Sequence, residues 1–276
     1  MPVEFVWRLI LSIMVGGSVI AAQSILAERY SRFGGFIVSI PTTLPMGLFF
    51  IGWTQGTAIA VKSASVVPVS LGNCLIFAAI FISTAQLPRQ RFTGFLLSNI
   101  LSLSVWFALS IAIIRFQITD PVSGIIAYII AFAIAYQILK ERDRHQKYHN
   151  QETPSAESNQ SSNWKLILLR ACAGGIVIGT AVLLAKILNP LWGGIFSVFP
   201  ASFISIFNII LLTRGPRLLI PIGATLPQGS IFFLLYILLA HLFFPLGILR
   251  GTLLSEALVL LAIYLTVATK KKKLSR

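Results

Sequence analysis

Polar and apolar positions along this chain fall into long blocks instead of alternating residue by residue. Apolar stretches of roughly 20 residues recur from end to end, each long enough to cross a hydrocarbon core of about 30 Å. A window of about 19 residues predicts nine spans, at 5–27, 34–55, 58–86, 92–115, 121–139, 164–187, 192–213, 217–244 and 249–269. The third and eighth exceed a straight crossing and carry Pro68 and Pro227, which predicts a kink, break or tilt in each. Solid apolar runs exclude a transmembrane β-barrel, whose strands alternate. The pattern therefore predicts an all-α, polytopic membrane protein with about nine transmembrane helices. The longest polar stretch, Lys140 to Asn163, is rich in Glu, Ser, Gln and Asn without apolar periodicity and predicts a flexible linker. The first span reads as a retained helix, because its n-region holds Glu4 and a single arginine and its apolar stretch is long for a signal peptide.

Composition agrees with this class. Of the 276 residues, 56% are hydrophobic and 11% are charged, against about 25% charged in a soluble domain. The net charge of +14 does not point to nucleic acid, because the basic residues sit in short loops and at the C-terminus, where topology signals and anionic headgroups place them. Cys74 and Cys172 lie inside apolar runs with no metal or redox spacing, as small packing residues do. His145 and His149 are four apart in the polar stretch but lack carboxylate or thiol company, so no metal site is expected. No cofactor fingerprint is present either.

Self-similarity changes the picture. Trp7-Arg8-Leu9-Ile10-Leu11 matches Trp164-Lys165-Leu166-Ile167-Leu168, and Gly16-Gly17 matches Gly174-Gly175. Gly34-Gly35 with Pro41 matches Gly193-Gly194 with Pro200, and Thr54-Gln55-Gly56 matches Thr213-Arg214-Gly215. Pro68 matches Pro227, while Pro88 with Gly94, Ser98 and Asn99 matches Pro245 with Gly251, Ser255 and Glu256. The matches are collinear. They divide the chain into a first four-helix repeat (1–119), a connecting helix with its polar linker (120–163), and a second four-helix repeat with a basic tail (164–276). Four crossings return a chain to its starting side, so the unmatched fifth span makes the second repeat start from the opposite side. Inverted repeats are the expected result. Basic residues test this: with the linker side called cytoplasmic, its loops hold 16 of the 22 lysines and arginines. The positive-inside rule then predicts an outer N-terminus and a cytoplasmic C-terminus.

Inverted repeats place transporter sites near the midplane, where helices are interrupted. The matched interruptions here are Pro41-Thr42-Thr43 and Pro200-Ala201-Ser202. A helix-interior proline removes a backbone hydrogen bond and exposes a carbonyl that hydroxyls re-satisfy or a ligand meets; a packing kink is the alternative. The glycine pairs read first as close helix packing. Glu256 lies about seven residues, roughly 10 Å, into the ninth span, and its repeat partner is Asn99. An intramembrane acid is costly and points to a proton, a sodium ion or a cationic substrate. A structural pair with Arg170, Lys186 or Arg250 is the alternative. Asn73, Gln23, Asn208 and Gln228 read as interhelical glue. No enzyme constellation is present: H-E-x-x-H, G-x-S-x-G and paired intramembrane aspartates are all absent.

Each half resembles the small four-helix bacterial membrane proteins of the GlpM-like kind and a related uncharacterised family. The resemblance rests on Gly34-Gly35, Pro41-Thr42-Thr43 and Thr54-Gln55-Gly56 with their partners in the second half, and it implies a bacterial inner-membrane location. The expected function is a secondary transporter or permease for a small solute. It would bind that solute at Pro41, Thr42, Thr43, Asn99, Pro200, Ser202 and Glu256, with Glu256 as the coupling group. The alternative is a non-transporting scaffold for envelope or polysaccharide assembly. The expected partners are the lipid bilayer, the solute and a second copy of the chain.

Overall fold

The computed structural model describes residues 3–29, 41–87, 90–149, 164–213 and 215–274. Gly34-Gly35, Pro88, Arg214 and the rest of the polar linker lie outside them, as do the side chains of Arg170 and Ser202. The described residues form eleven α-helices: α1 (Val3–Arg29), α2 (Thr43–Gln55), α3 (Thr57–Ala64), α4 (Val67–Ala85), α5 (Arg91–Arg115), α6 (Pro121–His149), α7 (Trp164–Ile187), α8 (Pro190–Ser197), α9 (Ala201–Thr213), α10 (Leu219–Phe243) and α11 (Ile248–Leu274).

Seven helical segments are long and apolar enough to cross a membrane: Val3–Ala22, Val67–Ala85, Arg91–Arg115, Pro121–His145, Ile167–Ile187, Pro216–Leu246 and Ile248–Thr269. The chain is an all-helical, multi-pass membrane protein. The seventh predicted span is split, and the second is described only from Pro41 onward. The helices α2 and α9 have 13 residues each, about 20 Å at 1.5 Å per residue, which is short of a crossing. Before α9 the chain breaks at Val198–Pro200, after the eight-residue α8.

Local chemistry sets these boundaries. Asn189 accepts a 2.9 Å hydrogen bond from Leu191 N, and Pro190 occupies the first turn of α8, the pairing that favours a helix start. Asp120 does the same for α6, accepting from Ser123 N at 2.9 Å ahead of Pro121. Gly56 and Gly215 end α2 and α9 with φ of +98° and +96°, a region that glycine enters without steric cost. After Gly56 the chain doubles back, so that Gly52 packs against Ala60.

The third span shows the break that was one of its expected forms: α3 ends at Ala64 and α4 starts at Val67, placing Pro68 in a first turn where its missing N–H costs nothing. The eighth instead carries Pro227 inside the continuous α10. The polar stretch is also helical as far as His149, because its Lys, Glu, Arg and Gln residues are good helix formers extending an existing helix.

The helices divide into two compact units, one of residues 1–67, 162–199 and 229–276, the other of 68–161 and 200–228. Each draws on both halves of the chain. In the first unit α1 crosses α7 with backbone close to backbone. A Cβ on Gly17 would lie 2.5 Å from Ala171 O, and one on Gly175 would lie 2.5 Å from Ile13 O. Likewise Gly16 faces Ile178 and Gly174 faces Ile20. These contacts are reciprocal: advancing 158 residues takes each first partner to the second of the matching contact. Their order also fixes direction. The Lys186 ammonium lies 5.9 Å from the Phe5 ring, while Ile20 meets Gly174, so α1 and α7 run antiparallel.

The same end of this unit gathers the end of α2 and the start of α11. Arg8 donates to Trp53 O at 2.9 Å, Gln55 donates to Val182 O at 2.9 Å, and Gly52 abuts Ile248. In the second unit, Arg91 donates to Leu212 O at 3.2 Å and Gln86 to Pro216 O at 2.7 Å. Gly223 packs there on Ile82 and Leu139.

Candidate functional site

The two interruptions are helix starts, not kinks within helices. Thr42 O accepts from Met46 N at 3.2 Å, and Pro200 O accepts from Ile204 N at 2.9 Å. A proline placed before a helix breaks no bond within it, and the carbonyl four residues before Pro200, Phe196 O, accepts from Phe199 N at 3.1 Å. Pro41 and Pro200 are buried, and Thr42 and Thr43 are half-buried. Gly193 and Gly194 serve packing: a Cβ on either would run into Ala185 or the Ser63 carbonyl. Of the predicted site residues, Pro41, Thr42, Thr43 and Glu256 belong to the first unit, and Asn99, Pro200 and Ser202 to the second.

Asn99 on α5 is fully engaged. Its Nδ2 donates to Phe95 O at 2.7 Å and to Asn208 Oδ1 at 2.8 Å, while Asn208 Nδ2 donates back to Asn99 Oδ1 at 3.0 Å. This reciprocal amide pair joins α5 to α9. One face of α5 continues the polar packing. Ser98 and Ser102 back-bond to Gly94 O and Ser98 O, and Asn73 of α4 donates to Trp106 O and Ser110 Oγ, both at 3.0 Å. Such bonds bind helices together where water is absent.

Glu256 is in a different situation. It sits eight residues along α11, about 12 Å by helical rise, and its Oε2 is buried without a hydrogen-bond partner. Lys186 turns to the Phe5 ring and Arg250 is exposed, so neither is paired with it. On α10, before the turn that joins it to α11, Tyr236 is fully buried. The Tyr236 hydroxyl also has no hydrogen-bond partner. Thr252 donates to Ile248 O at 2.8 Å, and the adjacent Ser255 Oγ is buried and partnerless.

Sequence reasoning singled out Glu256 but missed Tyr236. The one available signal was a tyrosine in the middle of an otherwise apolar span. A second cluster was also missed: Arg8 pairs with Glu4, and its guanidinium lies 5.7 and 5.4 Å from the Trp7 and Trp53 rings. Comparison with protein-family models, curated proteins and solved structures returns no match for this chain. The site is read from its own geometry.

Proposed function

We propose that this protein is a secondary transporter of a small solute that works by alternating access between two inverted four-helix repeats, with Glu256 as its coupling or substrate-binding group. The observation that carries the reading is Glu256, half-buried on a membrane-length helix, with one carboxyl oxygen buried and without a partner among the described residues. An acid in that position is expensive, and the expense has a purpose if the group takes up and gives back a cation.

The repeat arrangement has its own support. The helices α1 and α7, equivalent in sequence, run antiparallel and exchange equivalent contacts, as two-fold-related surfaces do. The breaks ahead of α2 and α9 fall at equivalent prolines, where transporters of this architecture interrupt their helices. On the same reading the basic loops face the cytoplasm, the N-terminus is outside, and the bilayer is a bacterial inner membrane.

Two experiments test this. In the first, Cys74 and Cys172 are removed and single cysteines are placed at Gln55 and Arg214. A membrane-impermeant thiol reagent applied to intact cells should label position 55 and spare position 214. Equal labelling of the two defeats the inverted arrangement. In the second, reconstituted protein is screened for solute uptake, and Glu256→Gln is compared with the parent. A stoichiometric protein partner with no flux of any solute favours the scaffold reading instead.

A further inference from the structure

We propose that Asn73 holds a single water molecule within the membrane-spanning part of the second unit, with its Oδ1 as the acceptor that fixes the water. The water is inferred from the contact of α4 with α5 alone, independently of solute transport.

Asn73 is the seventh of the 19 residues of α4, about 10 Å into that helix by helical rise, and it is 4% exposed. The helix α4 is the most enclosed of the seven membrane-length segments. The amide of Asn73 is pinned by its donor end. Its Nδ2 spends both hydrogens on α5, one on Trp106 O and one on Ser110 Oγ, each at 3.0 Å. Trp106 O is a carbonyl and can only accept, so turning the amide over would set two oxygens against each other. This orientation leaves Oδ1 buried and without a hydrogen-bond partner among the described residues.

Other buried oxygens do not make the same demand. Ser98, Ser102 and Ser110 give their hydroxyl hydrogens to carbonyls one turn back in α5. Ser63 and Ser255, whose hydroxyls are buried without a partner among the described residues, can reach such a bond by turning about one torsion. Asn73 cannot, because turning it breaks both bonds to α5. A buried amide oxygen left without a donor costs about 1–3 kcal/mol, which an apolar residue at this position would avoid and a bound water removes.

The free positions fix the chemistry of the occupant. Ser110 Oγ donates to Trp106 O at 2.7 Å and accepts from Asn73, which leaves it one lone pair. The backbone N–H groups around Asn73 and Ser110 are engaged in the helical bonds of α4 and α5. Asn73 Oδ1 and Ser110 Oγ are therefore both acceptors, and the occupant must donate. Water brings two hydrogens, and buried waters settle where about two to four polar groups are otherwise unsatisfied. An anion, which only accepts, finds no bond here.

The test is X-ray radiolytic labelling of the full-length protein in liposomes. Irradiation splits a bound water into a hydroxyl radical and a hydrogen atom, and the radical adds oxygen to the nearest side chains, which mass spectrometry reads peptide by peptide. Cys74 and Trp106 are the reporters. Cys74 follows Asn73 in the chain, Trp106 supplies a carbonyl to its amide, and both are buried. Phe81 and Phe207, fully buried with ring centroids 5.3 Å apart in the same unit, are the dry reference. Corrected for each residue's rate in the unfolded chain, labelling of Cys74 or Trp106 should exceed that of the phenylalanines several-fold. Equilibration in heavy-oxygen water should place the isotope in the adduct, which ties it to water instead of dissolved oxygen. Asn73→Leu should bring both reporters down to the phenylalanine level. Reporters no more labelled than the phenylalanines, adducts without the heavy isotope, or labelling unchanged in Asn73→Leu overturns the proposal. The first two outcomes are read on the unaltered chain, so a leucine variant that fails to fold does not protect the proposal. Absence of solute flux leaves the water site standing, and absence of labelling leaves the transport reading standing.

Discussion

The helices α5 and α11 are matched in the repeat read from the sequence, and they bury matched positions. Gly94, Ser98, Ser102 and Trp106 are buried on one, and Gly251, Ser255, Val259 and Ile263 are buried on the other, each 157 residues further on. The residue beside that face differs. Asn99 is held at both ends of its amide by Phe95 and Asn208, whereas Glu256 has a buried oxygen with no partner among the described residues. The packing seam is common to both helices while the chemistry beside it diverged. One carries a clasp between helices, and the other an acid with an unpartnered oxygen. A structural acid would have acquired a partner as Asn99 did, since an unsatisfied buried polar group costs about 1–3 kcal/mol.

The largest expected effect tests this contrast directly. Glu256→Gln should reduce solute flux by about tenfold or more, equivalent to at least 1.4 kcal/mol of barrier, while Asn99→Ala leaves flux within a few-fold of the parent. The opposite ranking, measured in the same liposomes, reverses the assigned roles. Next comes the crossing of α1 and α7. Gly17→Ala and Gly175→Ala each push a methyl into a carbonyl, and each should cost about 1–3 kcal/mol, read as a lower thermal midpoint in detergent. Losses that differ widely between the two remove the equivalence on which the comparison rests. The smallest effect concerns the clasp. Asn99→Ala should cost about 1–3 kcal/mol by stranding the Asn208 amide. Because the partners couple, the double replacement with Asn208→Ala should cost less than the sum of the two single changes. Additive losses would show that the pair is not a unit.

Much of this fold was legible along the chain. Seven of the nine apolar spans correspond to membrane-length helices, because composition and length alone decide that property. The break at Pro200 was legible too, since proline leaves few choices. Its form was not: whether a proline kinks a helix or precedes one depends on which residue supplies the first carbonyl, and Pro68 and Pro227 resolve that choice differently. The extension of α6 to His149 was hidden by a polarity that suits solvent-exposed helix as well as coil. Asn208 clasped to Asn99 from 109 residues away comes from tertiary pairing that no local pattern encodes.

The α1–α7 crossing has a consequence beyond packing. When residue i of one helix meets residue j of another while the equivalent of j meets the equivalent of i, the contact surface is complementary to itself. A lone four-helix unit carrying Gly16 and Gly17 could therefore seat a copy of itself head to tail, provided that the membrane held both orientations. On the proposed inverted-repeat reading, fusing two such units through α6, an odd crossing, makes the upside-down partner permanent and present at unit stoichiometry. Once the pair is covalent, neither copy need stay the same as the other, and an asparagine at one position can become a glutamate at its mirror.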